Sequence, residues 1–252
     1  MYSVITSQKD LAGMNIYNHL KEFPQDNFEL IKISGETLYS DVDGLTNGDI
    51  IIFATRHASQ QKKPCLCVHT PGNWDEAEYG GKDKSLCTSP ANLQREAYLE
   101  LKKNNTLDFE VTMEATHHGP LIEKPCIFIE IGSSLEEWQN DEAGKILAKS
   151  IYSLTNKKIP ETQAIFGIGG PHYCNNFNKL VERTGFAVGH VCPKYMLEKL
   201  DTLMLKQAIE KTKGAEPIIA LDWKGLGTNK SNVVSVIEKS GKEYKKIKEL
   251  IT

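Results

Sequence analysis

The chain has 252 residues, of which 40% are hydrophobic and 25% are charged, and its formal net charge is −3 at pH 7. These values are typical of a soluble globular protein and lack the basic balance that most nucleic-acid-binding domains show. No apolar run is long enough to cross a bilayer, and the opening segment MYSVITSQKD lacks the basic and apolar regions of a secretory signal, so we expect a cytoplasmic protein with no membrane partner.

Short apolar runs alternate with helical stretches along the chain. Several runs are rich in Ile, Val and Phe without polar alternation, which is typical of strands buried on both faces of a parallel or mixed sheet. The predicted strands are Tyr2–Thr6, Phe28–Ile33, Asp49–Thr55, Cys65–His69, Phe109–Ala115, Cys126–Ile131, Gln163–Ile168, Phe186–Val191 and Pro217–Leu221.

Helices are predicted between these strands. Asp10 is the predicted N-cap of the first helix, and Ser134 with Glu137 matches a capping box at the start of the third. The predicted helices cover residues 11–21, 89–103, 134–151, 196–211 and 232–250, and the last is interrupted at Gly241.

The alternation of strands and helices predicts an α/β fold with right-handed crossovers. We expect a three-layer α/β/α sandwich around a mixed, mostly parallel sheet. No repeat, Ser/Gly linker or low-complexity tract divides the chain, so we predict a single domain spanning residues 1–252. The segment Thr70–Ser85 is the best candidate for a long loop, and loops of this length are often functional.

The cysteines give no sign of a metal cage or of a disulfide framework. Several lie in apolar strands, where a free Cys acts as a small hydrophobic residue, and no CxxC pair exists, which argues against a cysteine zinc site. A reducing compartment follows from this interpretation. The six cysteines are at positions 65, 67, 87, 126, 174 and 192.

Histidines concentrate where predicted strands end. In an open α/β sheet, the crevice beyond the carboxyl ends of the strands is where ligands bind, so histidines far apart in the sequence are predicted to meet in one functional site. A lone histidine is more often structural, and His19 and His69 are the two for which we most expect a structural role. The histidines at or near strand ends are His57, His69, His117, His118, His172 and His190.

Two chemistries fit such a cluster. A histidine is a suitable general base for activating water, and several histidines together are suitable zinc ligands, since bound zinc lowers the pKa of water to about 7. The neighbours His117 and His118 cannot both point the same way from a regular strand. We therefore expect one of them to face the crevice while the other orients or packs.

Two carboxylates stand within apolar strands. Glu114 lies in Met113-Glu114-Ala115, and Glu130 lies in Ile129-Glu130-Ile131. A buried carboxylate is costly unless it is paired or coordinates a metal. The alternative is a half-exposed strand, which we favour for Glu114 more than for Glu130.

A glycine-rich turn follows the strand that ends at Ile168. The dinucleotide fingerprint G-x-G-x-x-G is not met, because His172 occupies the place of its last glycine, so no nucleotide cofactor is predicted. The backbone N–H groups of Gly169 and Gly170 are instead predicted to face a phosphate or a developing oxyanion.

An ordered set of short phrases resembles the archaeal and plant type of D-aminoacyl-tRNA deacylase. The set spans most of the chain, and its order makes the resemblance fairly specific. The phrases are Arg56-His57-Ala58-Ser59, His69-Thr70-Pro71-Gly72-Asn73, Ala115-Thr116-His117-His118-Gly119-Pro120, Glu130-Ile131-Gly132-Ser133-Ser134 with Trp138, Gly167-Ile168-Gly169-Gly170-Pro171-His172-Tyr173, and Gly189-His190.

This resemblance implies a phosphorylase/hydrolase-like α/β/α sandwich related to peptidyl-tRNA hydrolase. The implied reaction is hydrolysis of the ester between a D-amino acid and the 3′-terminal ribose of tRNA, with D-aminoacyl-tRNA as the partner and zinc as the cofactor. The family is also linked to clearing D-aminoacyl-tRNAs whose amino group carries an aldehyde adduct.

The residues and the resemblance together give three sets of site predictions. The predicted catalytic residues are His57, His117, His118 and His172. The predicted substrate-binding residues are Arg56, Ser59, Gly169, Gly170 and Tyr173. The predicted metal ligands are His57, His118, Glu130, His172 and His190.

Other functions remain open at the level of the sequence. Related enzymes would be a peptidyl-tRNA hydrolase or a nucleoside phosphorylase of the same fold, and a non-catalytic RNA- or nucleotide-binding module is the rival from another class. A monomer is expected. The C-terminal lysines are a candidate basic patch, although a solvated helix face is the favoured interpretation; they are Lys224, Lys230, Lys239, Lys242, Lys245, Lys246 and Lys248.

Overall fold

A computed structural model describes residues 1–251 and shows strands and helices throughout the chain. Thr252, the last residue of the predicted domain 1–252, lies outside the described residues. The strands are β1 (Tyr2–Ser7), β2 (Phe28–Ile33), β3 (Ile50–Ala58), β4 (Cys65–His69), β5 (Gly72–Asn73), β6 (Ser85–Leu86), β7 (Ser89–Pro90), β8 (Glu110–Met113), β9 (Cys126–Ser133), β10 (Ala164–Ile168), β11 (Ala187–Cys192), β12 (Thr212–Lys213), β13 (Ile218–Leu221) and β14 (Tyr244–Lys246). The helices are α1 (Leu11–Leu20), α2 (Ala91–Asn104), α3 (Leu135–Trp138), α4 (Asp141–Thr155), α5 (Asn175–Arg183), α6 (Thr202–Lys211), α7 (Lys230–Lys239) and α8 (Ile247–Leu250).

The longer strands form two sheets rather than one. A six-stranded sheet has the order β2-β1-β3-β9-β4-β8, and a four-stranded sheet has the order β11-β10-β13-β14. All neighbouring strands in these two sheets are parallel except β4 and β9, which are antiparallel. The predicted α/β class with a mixed, mostly parallel sheet is therefore confirmed, with the strands divided between two sheets.

All nine predicted strands are present, and the differences lie mainly in the helices. The predicted third helix is split into α3 and α4, and the fourth begins only at Thr202, where the Asp201 carboxylate accepts a hydrogen bond from the Met204 N–H. Helix α5 was not predicted. The C-terminal segment is not one interrupted helix, because Gly241 ends α7 with φ +68° and the next residues pair with β13 as β14.

Local capping explains two helix starts that the sequence predicted. The Asp10 side chain accepts a hydrogen bond from the backbone N–H of Gly13, which satisfies one of the free donors at the start of α1. The Ser134 hydroxyl and backbone N–H both donate to the Glu137 carboxylate at the start of α3. Among residues 1–251, every helix is too short or too polar to cross a lipid bilayer.

The two faces of the six-stranded sheet differ in polarity. Successive side chains along a strand point to opposite faces, and one face packs an apolar core that includes Ile52, Val68 and Ile129 against α1, α2 and α4. The registers of the paired strands place the polar and titratable residues together on the other face. These residues are Thr55, His57, Cys67, His69, Thr112, Glu114 and Glu130.

The segment after β8 joins the two sheets. The backbone N–H of Ala115 donates to the carbonyl of His172 at 2.8 Å, and the N–H of Thr116 donates to the carbonyl of Val191 at 3.0 Å. These bonds hold the turn that carries His117 and His118 between the polar face of the first sheet and the loop that follows β10. The histidines therefore meet between two sheets, and not along the carboxyl edge of a single one.

Candidate functional site

A cavity of about 770 Å³ opens over the polar face of the six-stranded sheet. Four predicted histidines and one predicted glutamate line it, together with part of the predicted long loop, which contributes Trp74 and Tyr79 among others. These five residues are His57, His117, His118, His172 and Glu130. The structure thus brings together most of the predicted site.

His117 and His118 face the same cavity because they lie in a turn. His118 has φ +43°, in the left-handed region that few non-glycine residues adopt, and the N–H of Gly72 donates to the carbonyls of both histidines. The two ring centroids are only 4.3 Å apart. The expectation that one of the pair would face the crevice while the other orients or packs is wrong, since both line the cavity and the turn breaks the alternation of a strand.

The tautomers of both histidines follow from their backbone partners. The Nδ1–H of His117 donates to the carbonyl of Ala115 at 2.8 Å, and the Nδ1–H of His118 donates to the carbonyl of Gly119 at 2.6 Å. Burial lowers the pKa of His117 well below its usual value and that of His118 to about 4. Both rings are therefore neutral at pH 7, and each keeps a lone pair on Nε2.

His69 is the third imidazole of this group, although it was expected to be structural. Its ring is fully buried, and neither of its nitrogens has a hydrogen-bond partner in the structure. The ring lies 4.3 Å from His117 and 4.9 Å from His118 between centroids. One ring nitrogen from each of the three histidines lies within 4.8 Å of the others, a spacing that suits a shared metal ion.

Two buried carboxylates lie beside the histidines. Glu130 Oε1 accepts a hydrogen bond from the Thr55 hydroxyl at 2.7 Å, and its Oε2 lies 3.6 Å from His69 Nε2. Glu114 is 1% exposed, so the half-exposed strand that was favoured for it is wrong. Its Oε1 lies 3.2 Å from His57 Nδ1 and 3.2 Å from His172 Nε2, although neither contact has the angles of a hydrogen bond.

Ion pairing controls the protonation of His57 and Glu114. Burial lowers the pKa of His57, but Glu114 and Glu130 outweigh burial and raise that pKa to about 9. Burial raises the pKa of Glu114, but His172 and His57 outweigh it and hold the pKa well below its usual range. At pH 7 the site therefore contains a protonated His57 paired with an ionised Glu114.

His172 connects the buried Glu114 to the cavity surface. Its Nε2 faces Glu114, and its Nδ1 accepts a hydrogen bond from the Tyr195 hydroxyl at 2.9 Å. The His172 side chain is 30% exposed, so it is the most accessible of the imidazoles that pair with these carboxylates. Tyr195 lines the cavity and is 55% exposed, and this chain of carboxylate, imidazole and phenol is a route for a proton.

Three predicted site residues are placed away from the cluster. His190 is fully buried, with Nδ1 bonded to the Thr116 hydroxyl and Nε2 to the Cys87 carbonyl, so neither nitrogen is free for a metal. The N–H of Gly169 donates to the Cys192 carbonyl, and the N–H of Gly170 donates to the Gly225 carbonyl. Both backbone donors are already used, so neither glycine has an N–H left for a phosphate or an oxyanion.

The remaining predicted substrate-binding residues surround His57. Tyr173 bonds through its hydroxyl to His57 Nε2 at 3.0 Å; burial raises the pKa of this phenol to about 12, and the nearby Ser59 side chain partly offsets that rise. Arg56 lines the cavity, where its guanidinium stacks over Trp138 and donates to the Lys9 carbonyl. Arg56 is therefore held in place on one wall of the cavity, and Tyr173 fixes the ring of His57.

Sequence reasoning missed two functional candidates, His69 and Tyr195. His69 follows Cys67 by two residues on β4, and the antiparallel register places Cys67 opposite Glu130. A sequence pattern would reveal His69 only if the pairing of β4 with β9 were already known. Tyr195 follows β11 by three residues, and nothing in its neighbourhood marks it as different from an ordinary surface tyrosine.

The buried cysteines near the site are less suited to metal binding. Cys65 and Cys67 have sulfur atoms 3.4 Å apart, and they form a possible ligand group with His57. Burial raises the pKa of the Cys67 thiol well above its usual value, which disfavours the thiolate form that binds metals. All six cysteines are free and buried, as small apolar residues are.

Neutral imidazoles beside an ionised carboxylate, in a concave cavity, suit the activation of water for hydrolysis. Comparison with known proteins identifies the family. Residues 45–245 match the family model for D-aminoacyl-tRNA deacylase. The chain belongs to the D-aminoacyl-tRNA deacylase family.

Curated relatives and a solved structure agree with this assignment. A D-aminoacyl-tRNA deacylase of Thermococcus kodakarensis is 38% identical over 272 residues, covering 97% of this chain and 99% of the relative. Another from Methanococcus maripaludis is 36% identical, with 98% and 99% covered. A crystal structure titled as a conserved protein of unknown function superposes with a TM-score of 0.90 at 29% identity, covering 100% of this chain and 96% of that one.

Proposed function

We propose that this protein hydrolyses the ester between a D-amino acid and the 3′-terminal ribose of tRNA, and that it does so in the cytoplasm with zinc as its cofactor. The observation that carries the proposal is the convergence of one ring nitrogen from each of His69, His117 and His118, two of which line the cavity, beside the buried carboxylates of Glu114 and Glu130. An aminoacyl ester is already reactive, so positioned water and charge stabilisation suffice for its hydrolysis.

The donor set fits zinc. Three imidazole nitrogens with a remaining open position are typical of catalytic zinc sites. The hydrogen bonds from the Nδ1–H groups of His117 and His118 to backbone carbonyls fix the orientation of both rings, as is usual for histidines that bind a metal. His69 is buried with both nitrogens unbonded, which is costly unless the ring has another partner. When bound, zinc supplies Lewis-acid polarisation of the ester carbonyl and lowers the pKa of water.

The chain's own residues supply the proton transfers. His172 Nδ1 takes a proton through the Tyr195 hydroxyl as water attacks the ester carbonyl, and Glu114 stabilises the imidazolium that forms. The same proton then returns through Tyr195 to the ribose oxygen that leaves. His57, which is protonated at pH 7, keeps Glu114 ionised throughout this cycle.

The walls of the cavity orient the substrate. Arg56 and Lys9 contribute two positive charges to the cavity lining, where they suit the phosphate of the terminal nucleotide. Asp75, Glu76 and Glu78 also line the cavity, where their negative charges suit the α-ammonium group of the amino acid. The ester between these two groups then lies near the histidines.

The proposal is tested by measuring amino-acid release from D-Tyr-tRNA and L-Tyr-tRNA with purified protein, with added zinc and after chelation. We expect rapid, D-selective release that chelation abolishes and zinc restores. Full activity after complete removal of zinc would leave only the His172 general-base mechanism. Release from peptidyl-tRNA, or phosphorolysis of a nucleoside, with none from D-Tyr-tRNA would instead assign one of the related activities.

A variant separates catalysis from folding. His118→Ala is expected to lower kcat by about 100-fold or more, the size of effect typical of a lost catalytic group, while the protein stays folded by circular dichroism. Wild-type kcat in this variant would remove His118 from the site. The expected monomer is checked on the same sample by light scattering.

A further inference from the structure

The carboxyl edge of the four-stranded sheet forms a positively charged row next to the cavity. Its strands are all parallel in the order β11-β10-β13-β14, so their carboxyl ends lie side by side. Lys194 follows β11, His172 follows β10, Lys224 follows β13, and Lys246 ends β14. Neighbouring strands are about 4.8 Å apart, so the row flanks His172, with Lys194 on one side and Lys224 and Lys246 up to roughly 10 Å away on the other.

Trp223 organises the positive charges of this row. The ammonium nitrogens of Lys230 and Lys246 lie 5.5 and 4.3 Å from the centroid of its ring, within the range of cation–π contacts. The Lys194 side chain lies against Gly227, in the same loop as Trp223. Two ammonium groups held over one ring, with a third nearby, form a prearranged cluster and not scattered surface lysines.

Three lysines of this row carry positive charges that no ion pair neutralises within the described residues. Asp222 is 5% exposed, and its carboxylate accepts hydrogen bonds from the Asn176 amide and the Gly225 N–H. Within residues 1–251, no carboxylate forms an ion pair with Lys194, Lys224 or Lys230. The sites of these lysines are therefore positive while the whole chain carries a net charge of −3.

We infer that this edge, defined by Lys194, Trp223, Lys224, Lys230 and Lys246, binds the phosphate backbone of the tRNA acceptor end. The inference rests on the proposed function. When the ester enters the cavity, the nucleotides that precede the terminal ribose must extend over the protein surface. The cavity lining carries Asp75, Glu76 and Glu78, which would repel a polyanion, whereas the basic edge would attract it, so we place the backbone along that edge.

The test is the affinity of the full-length protein for uncharged tRNA, measured by fluorescence anisotropy over a range of salt concentrations. The double variant Lys224→Glu/Lys230→Glu is expected to bind about tenfold more weakly at 100 mM salt, since phosphate contacts dominate such affinities. The slope of log K against log salt should fall by roughly one for each lysine lost. Lys224 is exposed and Lys230 begins α7, where a Glu is favourable, so folding should be preserved.

A matched control changes the net charge equally at another place. Lys103→Glu/Lys149→Glu alters α2 and α4, which cover the opposite face of the six-stranded sheet, and it should bind tRNA like the wild type. Equal tRNA affinity of the Lys224/Lys230 variant and the wild type would overturn the inference. An equal loss of tRNA affinity in the control variant would also overturn it, as would a wild type that shows no measurable tRNA binding at low salt.

Catalysis distinguishes failure of the inference from failure of the proposed function. The Lys224/Lys230 variant should lose kcat/KM for D-Tyr-tRNA about tenfold, mainly through KM, and should hydrolyse D-tyrosyl-adenosine, which lacks the acceptor stem, at the wild-type rate. A wild type that releases no D-Tyr from either substrate would refute the proposed function. The comparison of tRNA affinities would still show whether the basic edge binds tRNA.

Discussion

The pair formed by His57 and Glu114 makes the stability of this protein depend on pH in a specific way. His57 is 6% exposed and its pKa is about 9, against an ordinary value of 6.5. A rise of this size corresponds to about 3 kcal/mol of pairing energy. Because the folded-state pKa is raised, this contribution is complete below about pH 6.5 and is lost as the pH rises through about 9.

Glu114→Gln removes the charge of the carboxylate and keeps its shape. At pH 6 the wild type contains the full ion pair, so the variant should lose about 3 kcal/mol of unfolding free energy. At pH 10 His57 is neutral in both proteins, and the wild type retains a buried carboxylate without a charged His57 beside it. The difference between the two proteins should therefore shrink towards zero at pH 10.

Urea unfolding at pH 6 and pH 10, with chelated protein, measures both differences. Glu142→Gln, on the exposed side of α4, is the control and should change the unfolding free energy by less than about 0.5 kcal/mol at either pH. Nuclear magnetic resonance of the His57 ring in the variant should show a pKa below 9. An equal loss of stability at both pH values would refute the assignment of a charged His57–Glu114 pair.

Three further changes probe separate parts of the site. Gly72→Ala puts a Cβ 2.8 Å from the Leu86 Cα at a position whose φ is +156°. Thermal unfolding should therefore show that the variant loses at least about 2 kcal/mol of unfolding free energy. A loss below about 0.5 kcal/mol would contradict the expected backbone strain. Tyr195→Phe removes the hydrogen bond to His172, so kcat for D-Tyr release should fall about tenfold with little change in KM; an unchanged kcat excludes Tyr195 from proton transfer. His69→Ala should lower bound zinc, measured by mass spectrometry, and wild-type zinc content would place the ion elsewhere.

Local signals determined the elements of the fold. The nine apolar runs are all strands, and Phe28–Ile33 and Cys65–His69 have the predicted bounds. Asp10 caps α1 as predicted, because a side-chain carboxylate at an N-cap satisfies a nearby N–H whatever the rest of the chain does. β14 was missed because its three residues form a strand only through pairing with β13.

The sequence by itself also identified the four histidines that line the cavity. The phrases around His57, His117, His118 and His172 indicated a hydrolytic cluster, and four imidazoles do line one cavity. Their residue types carry this information, since few structural roles require so many histidines at strand ends. The family resemblance, which depends on the order of these phrases, is likewise a property of the sequence alone.

Only the tertiary structure decided how these residues are connected. His69, which was expected to be structural, faces Glu130 because β4 runs antiparallel to β9, and that pairing depends on contacts between distant segments. His190 was expected among the ligands, but its ring is used in bonds to Thr116 and Cys87. Strand register and hydrogen-bond partners are set by packing across the whole molecule, and a one-dimensional pattern does not contain them.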